Sequence, residues 1–317
     1  RRGHDLCKNT RRMKYLQSGR RRKIKRLIIA ASIVFVSVFF VFLPVALSFL
    51  ITNSHFRFPE RGPTDPDALG LKIDPIEFQS DDGIPLRGWW NRGDTGKPVI
   101  IFVHGLNRSR LEHLERAAES SKRGYGILLF DLRNHGESGN AYTTLGIRES
   151  HDVCAARAFA NREAPKRPQV LWGVSLGAST ALLAEPRCPG SSAIISDSSF
   201  LSFSETIKHH FNLVFHLPSF PIANMIIALT SWRMGFRVQD GDVEGAVAAL
   251  PSVPILFIAG GTDVRMPPAL AERLASRSLN PDKQLFIVPG AGHGQAFAHD
   301  RDMYLRTVFD FLDRTAK

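Results

Sequence analysis

A serine hydroxyl is a poor nucleophile until a base takes its proton, so a reactive serine needs a histidine and a carboxylate to orient that histidine. Gly173-Val174-Ser175-Leu176-Gly177 sets one serine between two glycines. The apolar run QVLW precedes it, and LGASTALLAE, with small residues in its first turn, follows. A GxSxG pattern alone carries little weight because small residues are common; its flanks give it meaning. They predict a strand, a sharp turn and a helix, with Ser175 exposed on the turn. Gly173 and Gly177 would remove clashing side chains there, and the helix N-terminus would favour developing negative charge.

The base and the acid are expected further along the chain, in the order serine, acid, histidine. His293, in PGAGHGQ, follows the last apolar run, QLFIVPG, and is the expected base. Asp263, in AGGTDVRMPP, follows the run before it, ILFIAGG, and is the preferred acid. Asp197, in ISDSS, also ends an apolar run and is the alternative acid. An attacked carbonyl becomes an oxyanion, which two backbone N–H groups can stabilise by several kcal/mol. Those donors are assigned to Leu176, directly after the serine, and Leu106, directly after His104-Gly105; His104 itself is expected to hold the oxyanion loop. Asp131, Arg133 and His135, in DLRNHGESG, read mainly as loop-shaping hydrogen-bonding residues. Glu149 and Asp152 read as solvated or capping helix charges, and His209 and His210 as surface or lining residues.

These residues require a scaffold that gathers them. VIIFVHG, GILLFDLR, QVLWGVS, AIISD, ILFIAGG and QLFIVPG are short apolar runs ending in Gly, Asp, Arg or Ser. Helix-length segments separate them at 108–122, 147–163, 176–185, 267–278 and 296–315. Buried runs alternating with helices predict a parallel sheet covered on both faces, with its ligand site at the carboxyl ends of the strands. IEFQS and PLRGWW add two strands around a turn at Asp81, Asp82 and Gly83. Residues 198–249 are the least periodic; they read either as a partial cap that shapes the pocket or as an ordinary connection.

At 317 residues and 44% hydrophobic, the chain can bury one sizeable core. Twelve of its 41 Lys and Arg residues lie in residues 1–26 against one acid, Asp5, so that segment carries the whole formal charge of +11. The remainder has no basic excess with which to neutralise phosphates, which argues against a nucleic-acid partner. Residues 27–52, LIIAASIVFVSVFFVFLPVALSFLIT, are uncharged. That stretch exceeds the roughly 20 residues that cross a bilayer and the apolar core of a signal peptide, so it is expected to be an uncleaved anchor, kinked at Pro44. Lys and Arg are retained on the cytoplasmic side. The basic tail is therefore expected to be cytoplasmic and the remainder extracytoplasmic, with residues 53–72 a linker and 73–317 the catalytic domain. Cys7 would then lie on the reducing side; Cys154 and Cys188 could pair only if the fold brings them together, and two buried free thiols are the preferred reading over a bridge.

Residues 74–315 resemble an α/β-hydrolase. The likeness rests on HG at 104–105, DLRNHGESG at 131–139, GVSLG at 173–177, GTD at 261–263 and GH at 292–293. It is similar to the branch of small-capped esterases and prolyl-oligopeptidase-like hydrolases, which implies acyl transfer through an acyl-serine without specifying the substrate. No step of that chemistry needs a cofactor or a metal. The expected activity is of carboxylesterase type on a small-molecule or peptide acyl substrate. Peptidase, lipase and thioesterase activities use the same triad, and a non-catalytic binding protein could keep the fold. A dehalogenase is disfavoured because its elbow would carry Asp at position 175.

Overall fold

A computed structural model describes residues 2–53, 58–59 and 62–316; of residues 2–19 only the helical backbone is described. The side chains of residues 2–19 of the basic tail, Cys7 included, and residues 1, 54–57, 60–61 and 317 lie outside the described residues.

The strands are β1 (Asp74–Gln79), β2 (Pro85–Asn91), β3 (Val99–Val103), β4 (Gly126–Phe130), β5 (Gln169–Val174), β6 (Ala193–Asp197), β7 (Ile255–Gly260) and β8 (Gln284–Val288). They form one sheet in the order β1-β2-β4-β3-β5-β6-β7-β8. The first two pairings, β1 with β2 and β2 with β4, are antiparallel, and the others are parallel. The helices are α1 (Arg2–Ser37), α2 (Leu43–Asn53), α3 (Leu114–Ser121), α4 (Glu149–Glu163), α5 (Leu176–Ala184), α6 (Phe203–Phe215), α7 (Ile222–Met234), α8 (Val243–Ala248), α9 (Pro268–Arg277), α10 (Ala296–His299) and α11 (Arg301–Thr315). This is the α/β-hydrolase arrangement expected, with an apolar N-terminal helix ahead of it.

The central strands are apolar throughout because both of their faces are covered. Side chains alternate across a strand. Accordingly Val99, Ile101 and Val103 of β3 join one core, while Ile100 and Phe102 join the core on the other face. Every residue of β3, β4, β5, β6 and β7 is buried.

Two features of the N-terminal region are not expected from the sequence or refine what it predicts. The basic tail is helical and runs unbroken into the apolar stretch. Pro44 does not end the helix: Val38–Phe42 widen into a π-helical turn, in which the N–H of Leu43 bonds to the carbonyl of Val38 five residues back. Such a turn makes room where proline cannot donate and where its ring crowds the preceding turn. The helix is solvent-exposed over residues 20–38 and begins to be covered near Leu43.

Two further expectations are corrected. Cys154 and Cys188 are joined in a disulfide, their Cα atoms 5.7 Å apart, because α4 lies alongside the end of α5. Glu149 and Asp152 are fully buried rather than solvated. Glu149 accepts from the backbone N–H groups of Thr144 (2.8 Å) and Gly146 (2.9 Å) and from the Thr144 hydroxyl (2.9 Å). Asp152 faces Arg133 at 2.7 Å, and Arg133 also reaches Asp82. A buried carboxylate is tolerable only with such partners.

Candidate active site

Strand β5 delivers Ser175 into a strained turn. Its φ of 54° and ψ of −114° lie where residues other than glycine rarely go, and the turn holds only because its neighbours fix it. The carbonyl of Asp197 accepts from the Ser175 N–H at 2.8 Å. The flanking glycines are demanded by space. A Cβ at Gly177 would stand 1.9 Å from the carbonyl oxygen of Val103, and one at Gly173 would stand 2.4 Å from the backbone nitrogen of Ala178.

His293, on the loop after β8, brings its Nε2 to 2.8 Å from Ser175 Oγ. Its Nδ1 lies 2.7 Å from Oδ2 of Asp263, on the loop after β7. Asp263 is buried, and its other oxygen accepts from the N–H groups of Arg265 (2.8 Å) and Met266 (2.9 Å). With both Asp263 oxygens occupied, the carboxylate can turn neither toward nor away from the imidazole. Nδ1 therefore carries the proton, and Nε2 is left to accept one from the serine.

Asp197, the alternative acid, faces elsewhere. Ser198 donates to one of its oxygens (2.9 Å) and Tyr304 to the other (3.0 Å). Burial raises the pKa of this carboxyl, against the opposing influence of Arg116 and these hydrogen bonds. Its role is to brace the floor beneath Ser175.

The loop after β3 carries His104, Gly105 and Leu106. His104 is buried; its Nδ1 donates to the Gly105 carbonyl (2.8 Å) and its Nε2 accepts from the Leu132 N–H (3.0 Å). The N–H groups on either side of Leu106 are taken: Gly105 donates to Glu112 (2.7 Å), and Asn107 donates to His135 Nε2 (3.1 Å). Among the described residues, no acceptor is found for the N–H of Leu106 or of Leu176. Asp131 and Arg133 lie behind this loop. Asp131 accepts from the N–H groups of Arg110 (2.7 Å) and Glu137 (3.0 Å) and so shapes the backbone, while the Arg133 guanidinium is held by the carboxylates of Asp152 and Asp82.

A cleft of about 230 Å³ opens over Ser175 and His293. Its walls do not come from residues 198–249. Phe58, Gly62 and Pro63 of the linker form part of them, with Leu106, Arg116 and Phe297. The linker is therefore no simple spacer. The N–H of Phe58 donates to the Asn107 carbonyl (3.0 Å), and the Arg108 guanidinium donates to the Pro59 carbonyl (2.7 Å). Within 198–249, α6 flanks the acid loop through His209 Nε2, 3.0 Å from the Val264 carbonyl, and α7 packs on α2.

Sequence reading missed Glu112 and the linker wall. Nothing local marks Glu112, whose partner lies seven residues upstream across a turn. The aromatic Phe58 amid Pro and Gly was the one available hint of contact. Among the described residues, no group of three or more His, Cys, Asp or Glu side chains could hold a metal ion.

Comparison with known proteins agrees with this architecture. YqkD of Bacillus subtilis is 28% identical over 234 residues, 73% of this chain and 76% of that one. The uncharacterized membrane protein YNL320W of Saccharomyces cerevisiae is 22% identical over 254 residues, 78% of this chain and 82% of its own length. Among solved structures, the Pyrococcus furiosus esterase Pf2001 superposes with a TM-score of 0.67 at 23% identity, covering 83% of this chain and 98% of that one. Residues 100–307, from β3 into the first half of α11, match the Alpha/beta hydrolase family, and with the strand order and the loop placements above, the chain belongs to that family.

Proposed function

We propose that this protein is a membrane-anchored serine hydrolase that cleaves an ester, thioester or amide through an acyl-Ser175 intermediate, with carboxylesterase-type activity. The hydrogen-bonded series from Asp263 through His293 to Ser175, beside two N–H groups with no acceptor among the described residues, carries this reading. Ser175 Oγ attacks the carbonyl carbon as its proton passes to His293 Nε2. The oxyanion rests on the Leu106 and Leu176 N–H groups, aided by the positive end of α5. As the carbon–heteroatom bond breaks, the leaving group takes the proton from His293. A water then gives its proton to His293 and attacks the acyl carbon; Ser175 recovers the proton and the acid departs. Asp263 keeps the imidazole in the required tautomer and stabilises the imidazolium. The cleft is smaller than the roughly 300–1,000 Å³ typical of sites for drug-sized ligands, which favours a compact acyl group over a long peptide.

A fluorophosphonate probe should label the wild-type chain and leave Ser175→Ala unlabelled; a folded wild type that resists the probe would overturn the assignment. Short and long p-nitrophenyl esters tested beside amide substrates separate esterase from peptidase.

The same proposal places residues 27–52 across a bilayer, the N-terminus cytoplasmic and the catalytic domain extracytoplasmic. The helix from Arg20 to Asn53 is long and apolar enough to cross, and a disulfide in the domain suits an oxidising compartment. Protease added to intact cells should digest the domain and spare the Arg-rich tail. Protection of the domain would reverse the orientation.

A further inference from the structure

The anchor helix does not leave the membrane as a free stalk. Pro44, Ser48 and Thr52, spaced four residues apart, form the buried stripe of α2, and it lies on α7. Thr230 donates to the Ser48 hydroxyl (3.0 Å). Arg233, nearly one turn on, donates to the Ser48 carbonyl (2.8 Å) and reaches the Thr52 hydroxyl, with its guanidinium 4.0 Å above the Phe49 ring. Thr230 beside Ser48 and Arg233 beside Thr52 mean that the two helices run in the same direction. Following α7 back toward its start therefore leads back down the anchor. At about 1.5 Å per residue, the start of α7 at Ile222 lies roughly 12 Å below Thr230, about level with Phe40. That is well inside the apolar stretch.

The chain at that level is unusually bare. From Phe211 to Trp232 there is no Asp, Glu, Lys or Arg, and His216 is the only titratable side chain. The end of α6 exposes Val214, and the turn that joins it to α7 exposes Leu217 and Phe220, the last 75% accessible. Polarity returns at the other end of α7. Trp232 is 79% accessible, Tyr142 is also exposed, and both lie near Arg233, whose guanidinium is 5.9 Å from the Tyr142 ring. Apolar side chains low and Trp, Tyr and Arg higher is the order in which residues meet acyl chains and then headgroups.

We propose that the α6–α7 turn is a second membrane-inserting element. Its tip is immersed among the acyl chains of the leaflet from which the anchor emerges, with Trp232 and Tyr142 at headgroup level. This rests on residues 27–52 being a span. The observation that selects lipid as the occupant is continuity: the exposed turn lies alongside a helix whose own apolar surface is exposed at the same level. The domain is then held by two points of insertion, at a fixed height and tilt.

The test uses the full-length chain with Cys7→Ser and the disulfide left oxidised, reconstituted in phosphatidylcholine vesicles. A single cysteine carries a bimane label at Phe220→Cys, at Leu217→Cys as a second tip position, at Phe35→Cys within the span, or at Asp282→Cys as an exposed reference. Doxyl-labelled phosphatidylcholine should quench the label at 220, 217 and 35 several-fold more than at 282, and iodide should show the reverse. Lipid quenching at 35 but iodide quenching at 217 and 220 would overturn the inserted turn and leave the span standing. A label at 220 shielded from iodide but untouched by doxyl lipid would mean that a second copy covers the tip, which also overturns the proposal. No lipid quenching at any position would overturn both the inserted turn and the span.

Discussion

Asp263→Asn isolates the acid's role, because the structure dictates how the new amide must sit. Oδ1 accepts from the N–H groups of both Arg265 and Met266. Asparagine can keep those bonds only by placing its oxygen there, which turns its NH2 toward Nδ1 of His293. The reversed orientation would set the NH2 against two N–H donors, at roughly 1–3 kcal/mol for each buried donor left unsatisfied, or about 2–6 kcal/mol together. The NH2 therefore faces the imidazole, Nδ1 must accept, and the proton moves to Nε2, where it blocks deprotonation of Ser175. The expected loss in kcat is about ten-thousandfold, roughly 5.4 kcal/mol of barrier. The thermal midpoint should change little. Hydrolysis of a short p-nitrophenyl ester by the detergent-solubilised full-length chain gives the rate, and thermal unfolding gives the stability. The Ser175→Ala/Asp263→Asn double variant should be no slower than Ser175→Ala, because the residues act as one unit. A rate loss below tenfold at unchanged stability would refute the orienting role. A small rate loss with a large fall in stability would show that the amide had flipped.

Glu112→Ala removes the acceptor that holds Gly105, so the loop presenting Leu106 N–H should loosen; kcat should fall roughly tenfold to a hundredfold with KM nearly unchanged, and Glu112→Gln should restore most of it, because an amide oxygen still accepts. Asp82 is held at a pKa of about 2, since hydrogen bonds from Arg133 and Ser80 together with the Arg133 charge outweigh the burial that would raise it. A carboxyl lowered below its unfolded value stabilises the fold at neutral pH, and that contribution is lost as pH falls from about 4 to 2. Asp82→Asn should therefore flatten the fall of Tm across that range while lowering Tm at pH 7; an unchanged acid slope would count against the Arg133–Asp82 pair. Cys154 and Cys188 close a loop with a sequence separation of 34, so their reduction, or the double change to Ser, should cost roughly 3–4 kcal/mol in denaturant unfolding.

What the sequence made legible was whatever repeats locally. Each of the strands β3 to β7 announces itself as an apolar run because both of its faces are buried, the edge strand β8 keeps an apolar run with partial cover, and each loop residue at the site follows closely on one of these runs. That is why the loops carrying Ser175, Asp263, His293 and His104 could be placed before their distances were known. Features made by distant segments were not legible. Glu149 looks like an ordinary first-turn helix charge, and only the returning loop at Thr144 and Gly146 buries it. Asp152 gives no sign that Arg133 lies against it, nor Cys154 that the end of α5 brings Cys188 alongside. Residues 198–249 left a partial cap and an ordinary connection open for the same reason. No local period shows what these helices pack on: α6 flanks the acid loop, and α7 lies on α2 while Asn224, Ala228 and Trp232 remain exposed.

Phe58, Gly62 and Pro63 give the cleft one of its walls, and they belong to the stretch that follows the anchor directly. Cutting the chain at the start of the sheet, the usual way to obtain a soluble enzyme, would spare the nucleophile, base and acid but remove that wall. On the proposed function, substrate preferences measured on the clipped domain would describe a wider, less discriminating vessel than the intact chain. On the same proposed function, an insertion or deletion ahead of Phe58 would shift the wall, so a change that leaves the sheet untouched would alter which acyl groups are accepted.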